Sequence, residues 1–195
     1  MKKIITMVGT SLFRNYMDDN GKSTASNYIQ ELEPKESAQY DEESSRVNYV
    51  KNKLRTWIRE TAETQNLSAE IKSINKLKEI FKEEDFDIYL LYSDTTLSKL
   101  AGEILADLLT EQGFSRIELK AIEDLQVKER KRFNKGLSKL TEVIETIAAG
   151  YWENVIINIT GGYKAAIPYL TIPVSYTHLR AHETSLHLVC RLLLE

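Results

Sequence analysis

The stretch from Asn158 to Lys164 runs Asn-Ile-Thr-Gly-Gly-Tyr-Lys and lies between an apolar run at 155–157 and a small, apolar segment at 165–167. This order predicts the turn between a buried strand and a helix. Gly161 and Gly162 allow the backbone to approach a ligand closely or to adopt a positive φ. The unpaired N–H groups at the start of a helix favour an anion such as phosphate, and Lys164 adds a positive charge at the same place.

Two further turns have the same character. The β-branched run at 3–8 ends in small and hydroxyl residues, and so does the apolar run at 87–92. Ligands of open α/β sheets bind at the carboxyl ends of the strands, so these turns are candidate binding segments. The three candidate segments are Gly9-Thr10-Ser11, Ser93-Asp94-Thr95 and Thr160-Gly161-Gly162-Tyr163-Lys164.

The chain as a whole alternates between strand and helix patterns. Short apolar or alternating runs predict strands at 3–8, 87–92, 115–121 and 155–159. Apolar residues at helical spacing predict helices at 47–63, 68–81, 96–112, 136–149 and 165–170. The polar segment at 18–45 is predicted to be a long mobile loop or a set of short helical pieces. We therefore predict an α/β, Rossmann-like fold with a mostly parallel sheet and helices on both faces.

The segment from Val174 to Glu195 resembles the translation of an adapter oligonucleotide used to build sequencing libraries. Back-translation gives the two halves of that adapter in one reading frame, at 174–184 and at 188–194. We therefore expect a native domain at 1–173, truncated at its C-terminus, and a non-native tail at 174–195.

Composition narrows the chemistry of the predicted native domain, because all three histidines and the single cysteine lie in that tail. Zinc sites of the Cys/His type, cysteine nucleophiles, Ser-His-Asp triads and disulfides are excluded for 1–173. The net charge of −3 argues against a general nucleic-acid binder, and we expect no binding to duplex nucleic acid. No apolar run reaches membrane-spanning length, so we expect a cytoplasmic protein without membrane contact.

Motifs for common nucleotide cofactors are missing or imperfect. The Gly-x-Gly-x-x-Gly fingerprint is absent at the first turn, which argues against a nicotinamide cofactor. The segment Gly21-Lys22-Ser23-Thr24 resembles the end of a phosphate-binding P-loop, but Tyr16 stands where the earlier glycine belongs. We interpret that match as chance, and we expect neither a cofactor nor a metal.

Taken together, the three strand-end motifs resemble those of CARF domains, the CRISPR-associated Rossmann-fold domains that sense cyclic oligoadenylate second messengers. The motifs are VGTSL at 8–12, LYSDT at 91–95 and NITGGYK at 158–164. The resemblance covers 1–173 in order and points to the branch of standalone ring nucleases and sensor domains of CRISPR ancillary ribonucleases. It implies a homodimer whose two-fold axis places both copies of the site against one cyclic ligand, which we expect to be cyclic tetra-adenylate.

The resemblance also implies a chemistry and its residues. In ring nucleases of this type a ribose 2′-hydroxyl attacks the adjacent phosphodiester without a metal and leaves a 2′,3′-cyclic phosphate. Lys164 matches the family's lysine and would neutralise charge on the phosphorane, and Ser11 matches its serine and would bond the phosphate or orient the 2′-hydroxyl. The other expected ligand contacts are Gly9, Thr10, Ser93, Asp94, Thr95, Thr160, Gly161, Gly162 and Tyr163.

Other interpretations stay open at this point. The same site would serve a sensor that controls an effector domain beyond Pro173, and an unrelated Rossmann-like nucleotide binder is a third hypothesis. Ser11 and Asp94 could each simply cap a helix. The basic run at 128–135 is by default a solvated loop, with a lid over an anionic ligand as the alternative. Tyr163 is either a core or interface residue or a platform for adenine stacking.

Overall fold

The computed structural model of the chain describes residues 1–61, 67–82, 85–125, 130–162 and Ala166. Within these ranges one sheet of four parallel strands forms: β1 (Lys2–Met7), β2 (Phe86–Ser93), β3 (Arg116–Ile122) and β4 (Val155–Asn158). Six α-helices accompany it in the same ranges: α1 (Ser11–Asn20), α2 (Thr24–Leu32), α3 (Ser44–Glu60), α4 (Ala69–Ile80), α5 (Thr96–Glu111) and α6 (Arg130–Ala148). The predicted α/β, Rossmann-like fold is confirmed.

The order of the strands across the sheet is β3-β2-β1-β4. In the register, Ile5 of β1 lies opposite Tyr89 of β2 on one side and Ile157 of β4 on the other. The chain therefore steps outward from β1 to β2 and β3, and then returns to add β4 on the far side of β1. The order reverses between β1 and β4, which makes this pair the topological switch point of the sheet.

Alternation along the central strand divides its side chains between two apolar cores. Ile4, and Val8 just beyond the strand, lie in the larger core, where buried residues of α1 to α5 pack. Ile5 and Met7 lie in the second core, against α6. The strand is apolar on both faces because helices cover both faces, as is usual for a parallel sheet.

Hydroxyl side chains cap the starts of α2, α4 and α5, and the last two of these helices begin at the carboxyl edge of the sheet. Ser68 Oγ accepts the Ile71 N–H at 3.2 Å at the start of α4. Thr95 Oγ1 accepts the Ser98 N–H at 3.3 Å at the start of α5. Each bond satisfies one of the N–H groups that the first helical turn leaves unpaired. The first turn of α4 lies beside the ends of β1 and β4, where Glu70 contacts Gly9 and Ser73 contacts Asn158.

The structure decides one open alternative in the secondary-structure prediction and corrects one boundary. The segment at 18–45 is not a long loop, because Ala25, Ile29 and Leu32 form an apolar stripe that buries α2 in the larger core, so the alternative of short helical pieces is correct. In addition, α6 begins at Arg130 rather than at Gly136. Phe133 packs against the second core and extends the apolar stripe of this helix by one turn, so the described part of the basic run is helical rather than a solvated loop.

The structure does not test the predictions for the C-terminal segments. The predicted helix at 165–170, apart from Ala166, and the predicted tail at 174–195 lie outside the described residues, so their boundaries stay predictions. Among helices of the described ranges, none has the length and apolar composition that a membrane span requires.

Candidate functional site

The turns that follow β1 and β4 meet at the switch point. A Cβ atom on Gly9 would lie 2.6 Å from the backbone nitrogen of Gly162, and one on Gly162 would lie 2.6 Å from Met7 Cβ. Gly162 also has a φ of +77°, a conformation that residues with a side chain rarely adopt. The predicted positive φ is confirmed at Gly162, and the two turns form one continuous edge.

A carboxylate from the first turn of α4 lies between these two turns. Glu70 is only 1% exposed. Its Oε1 accepts the Gly9 N–H at 2.7 Å, and its Oε2 accepts the Ser11 hydroxyl at 3.1 Å. Charge-assisted hydrogen bonds of this kind compensate for the burial of a carboxylate. The Gly9 N–H and the Ser11 hydroxyl, which belong to a predicted ligand-binding segment, therefore donate to a carboxylate of the protein itself.

The first glycine of the Gly161-Gly162 pair makes room for this carboxylate. A Cβ atom on Gly161 would overlap Oε1 and Cδ of Glu70, and one on Gly9 would lie 3.0 Å from the same Oε1. The Glu70 side chain thus packs directly against the backbone of both turns. The two glycines have different tasks: Gly161 accommodates Glu70, and Gly162 provides the positive φ.

A polar network ties the end of β4 to α4. Asn158, which is 5% exposed, donates from Nδ2 to Ser73 Oγ at 2.6 Å and to Thr6 Oγ1 at 3.3 Å. Ser73 donates to the main-chain carbonyl of Glu70 at 3.0 Å. Thr160 Oγ1 lies 2.9 Å from Ser73 Oγ and 2.7 Å from Asn158 Oδ1. The network therefore fixes the helical turn that bears Glu70 relative to β1 and β4.

The turn that follows β2 is organised by different contacts. Thr95 caps α5, and its Oγ1 lies 3.3 Å from the Oγ of Ser93. Asp94 does not occupy the cap position; its Oδ2 accepts the N–H of Asp124 at 3.1 Å. This turn lies at the same edge of the sheet as the Glu70 cluster, and the hydrogen bond of Asp94 joins it to the end of β3.

Charged side chains surround the end of β3. Arg132 of α6 donates from Nε to Asp124 Oδ1 at 3.2 Å, and its terminal nitrogens lie 3.7 Å from Asp94 Oδ2 and 3.5 Å from Glu36 Oε1. Hydrogen bonds from Lys139 and Arg132 hold the pKa of Asp124 below its ordinary value. The same hydrogen bond to Asp124 raises the pKa of Arg132. Part of the basic run is thus paired with acidic groups at this edge.

Comparison with known protein families shows a match over more than half of the chain. A family model described as CRISPR-associated protein (Cas_APE2256) matches residues 65–182, a span of 118 of the 195 residues. The chain belongs to this family. Membership supports a role in CRISPR systems. The matched range includes Glu70 and the turns after β2 and β4, whereas the turn after β1 precedes it.

The structure of this family member brings five of the candidate residues together around Glu70. These are Gly9, Ser11, Thr160, Gly161 and Gly162. Thr10 adjoins them at the N-cap position of α1, where its side chain makes no capping hydrogen bond. Ser93, Asp94 and Thr95 lie at the neighbouring strand end. Tyr163 and Lys164 lie outside the described residues, so their places at the site stay predictions.

Sequence reasoning missed Glu70 and Ser73, although both belong to the cluster. A weak signal was present, because Ser68 predicted a helix start and an acidic residue in the first turn faces the positive end of a helix dipole. Nothing in the sequence indicated that this carboxylate would meet Gly9, which is 61 residues away. That contact depends on how α4 crosses the sheet.

The site is an open edge of the molecule. Thr10 and Thr160 are exposed, and Ser11 is partly so.

Two shallow depressions, of about 290 and 350 Å³, lie along α6 and at the amino ends of β2 and β3, away from this edge. Within the described ranges, no group of three or more histidine, cysteine, aspartate or glutamate side chains is placed to hold a metal ion.

Proposed function

We propose that this CRISPR-associated protein binds a cyclic oligoadenylate, cyclic tetra-adenylate in the first instance, at the edge formed by the turns after β1 and β4, and cleaves it without a metal. The supporting observation is that Gly9, Ser11 and the 160–162 turn meet at the topological switch point, where open α/β sheets bind their ligands. Membership of a CRISPR-associated family and the resemblance of the three strand-end motifs to CARF domains support the same ligand.

The proposed reaction is an internal transesterification. A ribose 2′-oxygen forms a bond to the adjacent phosphorus while the bond from phosphorus to O5′ breaks, which opens the ring and leaves a 2′,3′-cyclic phosphate. The protein has to hold the attack in line and stabilise the charge of the phosphorane. Ser11, at the start of α1, orients the 2′-hydroxyl, and Lys164, two positions after Gly162 in the sequence, supplies the positive charge.

A two-fold dimer would complete this open site. A cyclic oligonucleotide with an even number of identical units presents the same groups on opposite sides of the ring. A symmetry axis through the centre of the ring would therefore let the same edge of two protomers contact one ligand. The exposed Thr10 at this edge, whose side chain does not cap α1, is available for such contacts.

A sensor that binds the ring without cleaving it is the second candidate, and the Glu70 carboxylate favours it. Glu70 already engages the Gly9 N–H and the Ser11 hydroxyl. These two donors are then not available to a phosphate oxygen, and a negative group lies close to where the phosphate would bind. A sensor tolerates this arrangement because its affinity can come from contacts with adenine and ribose.

Product analysis separates the two candidates. The 195-residue chain is incubated with cyclic tetra-adenylate in the presence of EDTA, and the nucleotides are resolved by chromatography and mass spectrometry. Linear products that end in a 2′,3′-cyclic phosphate are expected. Saturable binding without products would indicate the sensor, and the absence of both binding and products would contradict the proposal.

The proposed role of Lys164 has its own test. We expect Lys164→Ala to lower the single-turnover cleavage rate on the order of 10²–10³-fold, because it removes a group that stabilises the transition-state charge. Lys76→Ala, which removes an exposed lysine from α4, is the matched control and should cleave at the wild-type rate. Undiminished turnover in Lys164→Ala would exclude Lys164 from that role.

A further inference from the structure

We propose that Glu70 is a positioning residue for the cleavage reaction, which fixes the direction of the Ser11 hydroxyl and receives a proton through it. The inference rests on the proposed ring cleavage and adds a residue that the strand-end motifs do not contain. The observation behind it is the pair of hydrogen bonds at 2.7 and 3.1 Å that the buried carboxylate accepts from Gly9 and Ser11.

The donor and acceptor sites of a hydroxyl group determine which hydrogen bonds Ser11 can make to the ligand. A hydroxyl has one proton to donate and two lone pairs with which to accept, whereas an ionised carboxylate only accepts. The proton of Ser11 therefore points to Glu70 Oε2, and its lone pairs point away from Glu70. In this orientation Ser11 accepts a hydrogen bond from a ribose 2′-hydroxyl and has no proton left for a phosphate oxygen. Of the two roles predicted for Ser11, the geometry favours orientation of the nucleophile.

The resulting chain of groups provides a path for the proton of the nucleophile. As O2′ bonds to phosphorus, its proton passes to Ser11 Oγ, and the proton of Ser11 passes to Glu70 Oε2. The bond from phosphorus to O5′ breaks, and O5′ takes a proton from a water molecule. The hydroxide that remains removes the proton from Glu70 by way of Ser11, which restores the starting state. Because the native domain predicted at 1–173 contains no histidine, Glu70 acts as the general base of this scheme, through Ser11.

The surroundings of Glu70 hold it in the geometry that such a relay needs. Gly161 leaves no side chain where the carboxylate lies, and Gly9 gives it a backbone N–H. Ser73 donates to the main-chain carbonyl of Glu70 and itself accepts from Asn158 of β4. The carboxylate is thus fixed from both strand ends, as positioning of a reactive group requires.

Substitution by glutamine provides the sharpest test, because it reverses the direction of one hydrogen bond while it keeps both. In Glu70→Gln the amide oxygen can accept the Gly9 N–H, and the amide nitrogen then donates to Ser11 Oγ. One lone pair of Ser11 is then occupied, its proton is no longer directed at position 70, and the relay loses its base. We expect the single-turnover rate on cyclic tetra-adenylate to fall on the order of 10²-fold or more, as for loss of general base catalysis.

Three comparisons separate this role from a structural one. Binding of a 2′-fluoro analogue of cyclic tetra-adenylate, which lacks the attacking hydroxyl, should be as tight in Glu70→Gln as in the wild type, or tighter, because a negative charge is removed. The double variant Ser11→Ala/Glu70→Gln should be no slower than Ser11→Ala alone, because Glu70 acts through Ser11. Glu79→Gln, on the exposed end of the same helix, should behave as the wild type.

The outcomes distinguish the two proposals. If the wild type does not cleave the ring, both the ring-nuclease function and the role of Glu70 are refuted. If the wild type cleaves and Glu70→Gln cleaves equally fast, only the role of Glu70 is refuted. Glu70→Asp, which keeps the charge but is one methylene shorter, is the second variant; wild-type turnover in it, with its fold verified by circular dichroism, would also contradict the relay.

Discussion

At the scale of single residues, Gly161 is the position where a minimal change tests the arrangement of the site. A methyl group there would overlap the Glu70 carboxylate, which is confined by its bonds to Gly9 and Ser11. We expect Gly161→Ala to lower the free energy of unfolding by about 1–3 kcal/mol, as overpacking of a filled space does. Urea denaturation followed by circular dichroism measures this change.

A double-variant cycle checks that the cost of Gly161→Ala comes from Glu70. In a Glu70→Ala background the space next to Gly161 is empty, so the added methyl group should cost much less free energy than in the wild type. Residues in direct contact show this kind of non-additivity. Equal costs in the two backgrounds would mean that the overlap with Glu70 is not the reason.

At the scale of secondary-structure elements, Asn158 joins β4 to β1 and α4. Its side chain donates to Ser73 and Thr6 in a buried environment. We expect Asn158→Ala to lower the free energy of unfolding by about 1–3 kcal/mol, because the buried partners lose their hydrogen bonds. We also expect it to slow ring cleavage, since the turn of α4 that bears Glu70 is no longer fixed. Asn52→Ala, at an exposed site on α3, is the control; an equal effect on turnover in both variants would contradict this account.

The charge network between β3 and α6 predicts a dependence of stability on pH. Hydrogen bonds from Lys139 and Arg132 lower the pKa of Asp124 from its ordinary value of 3.8. A lowered pKa in the folded state means that the network contributes stability above pH 3.8 and that this contribution is lost as the pH falls from there through the folded-state pKa. Asp124→Asn should remove this part of the acid-induced loss of stability, as measured by urea unfolding at a series of pH values. Asp18→Asn, at an exposed position of α1, should leave the acid dependence of the wild type intact.

The positions of the elements could be predicted from the sequence where one signal dominates. Apolar runs identified all four described strands to within a residue or two, and the hydroxyl at Ser68 identified the start of α4. The sequence left loop and helix undecided where polar residues surround an apolar stripe, as in α2, and the prediction was wrong where polar residues precede one, as in α6. In both helices burial of a few apolar side chains outweighs the local preference for a loop.

At the scale of the whole molecule, the sequence predicted a parallel sheet but not its strand order. Alternation of strands and helices requires crossover connections, which make neighbouring strands parallel. The choice of β4 rather than β3 as the second neighbour of β1 depends on packing between elements far apart in the chain. For the same reason the strand-end glycines were predictable as candidates, whereas their contact with Glu70 was not.

Titration calorimetry with the 2′-fluoro analogue of cyclic tetra-adenylate tests the central claim most directly, because it measures binding at the switch-point edge without turnover. We predict saturable binding of one ring per two chains, with no competition from adenosine monophosphate at comparable concentration. Gly161→Ala should weaken this binding, whereas Gly102→Ala should not, because its methyl group would crowd only the end of the flexible Leu119 side chain, at 2.8 Å, and would lie in ordinary contact with Tyr92, at 3.7 Å. The absence of binding, or equal affinity for adenosine monophosphate, would contradict the assignment of this edge to a cyclic oligoadenylate.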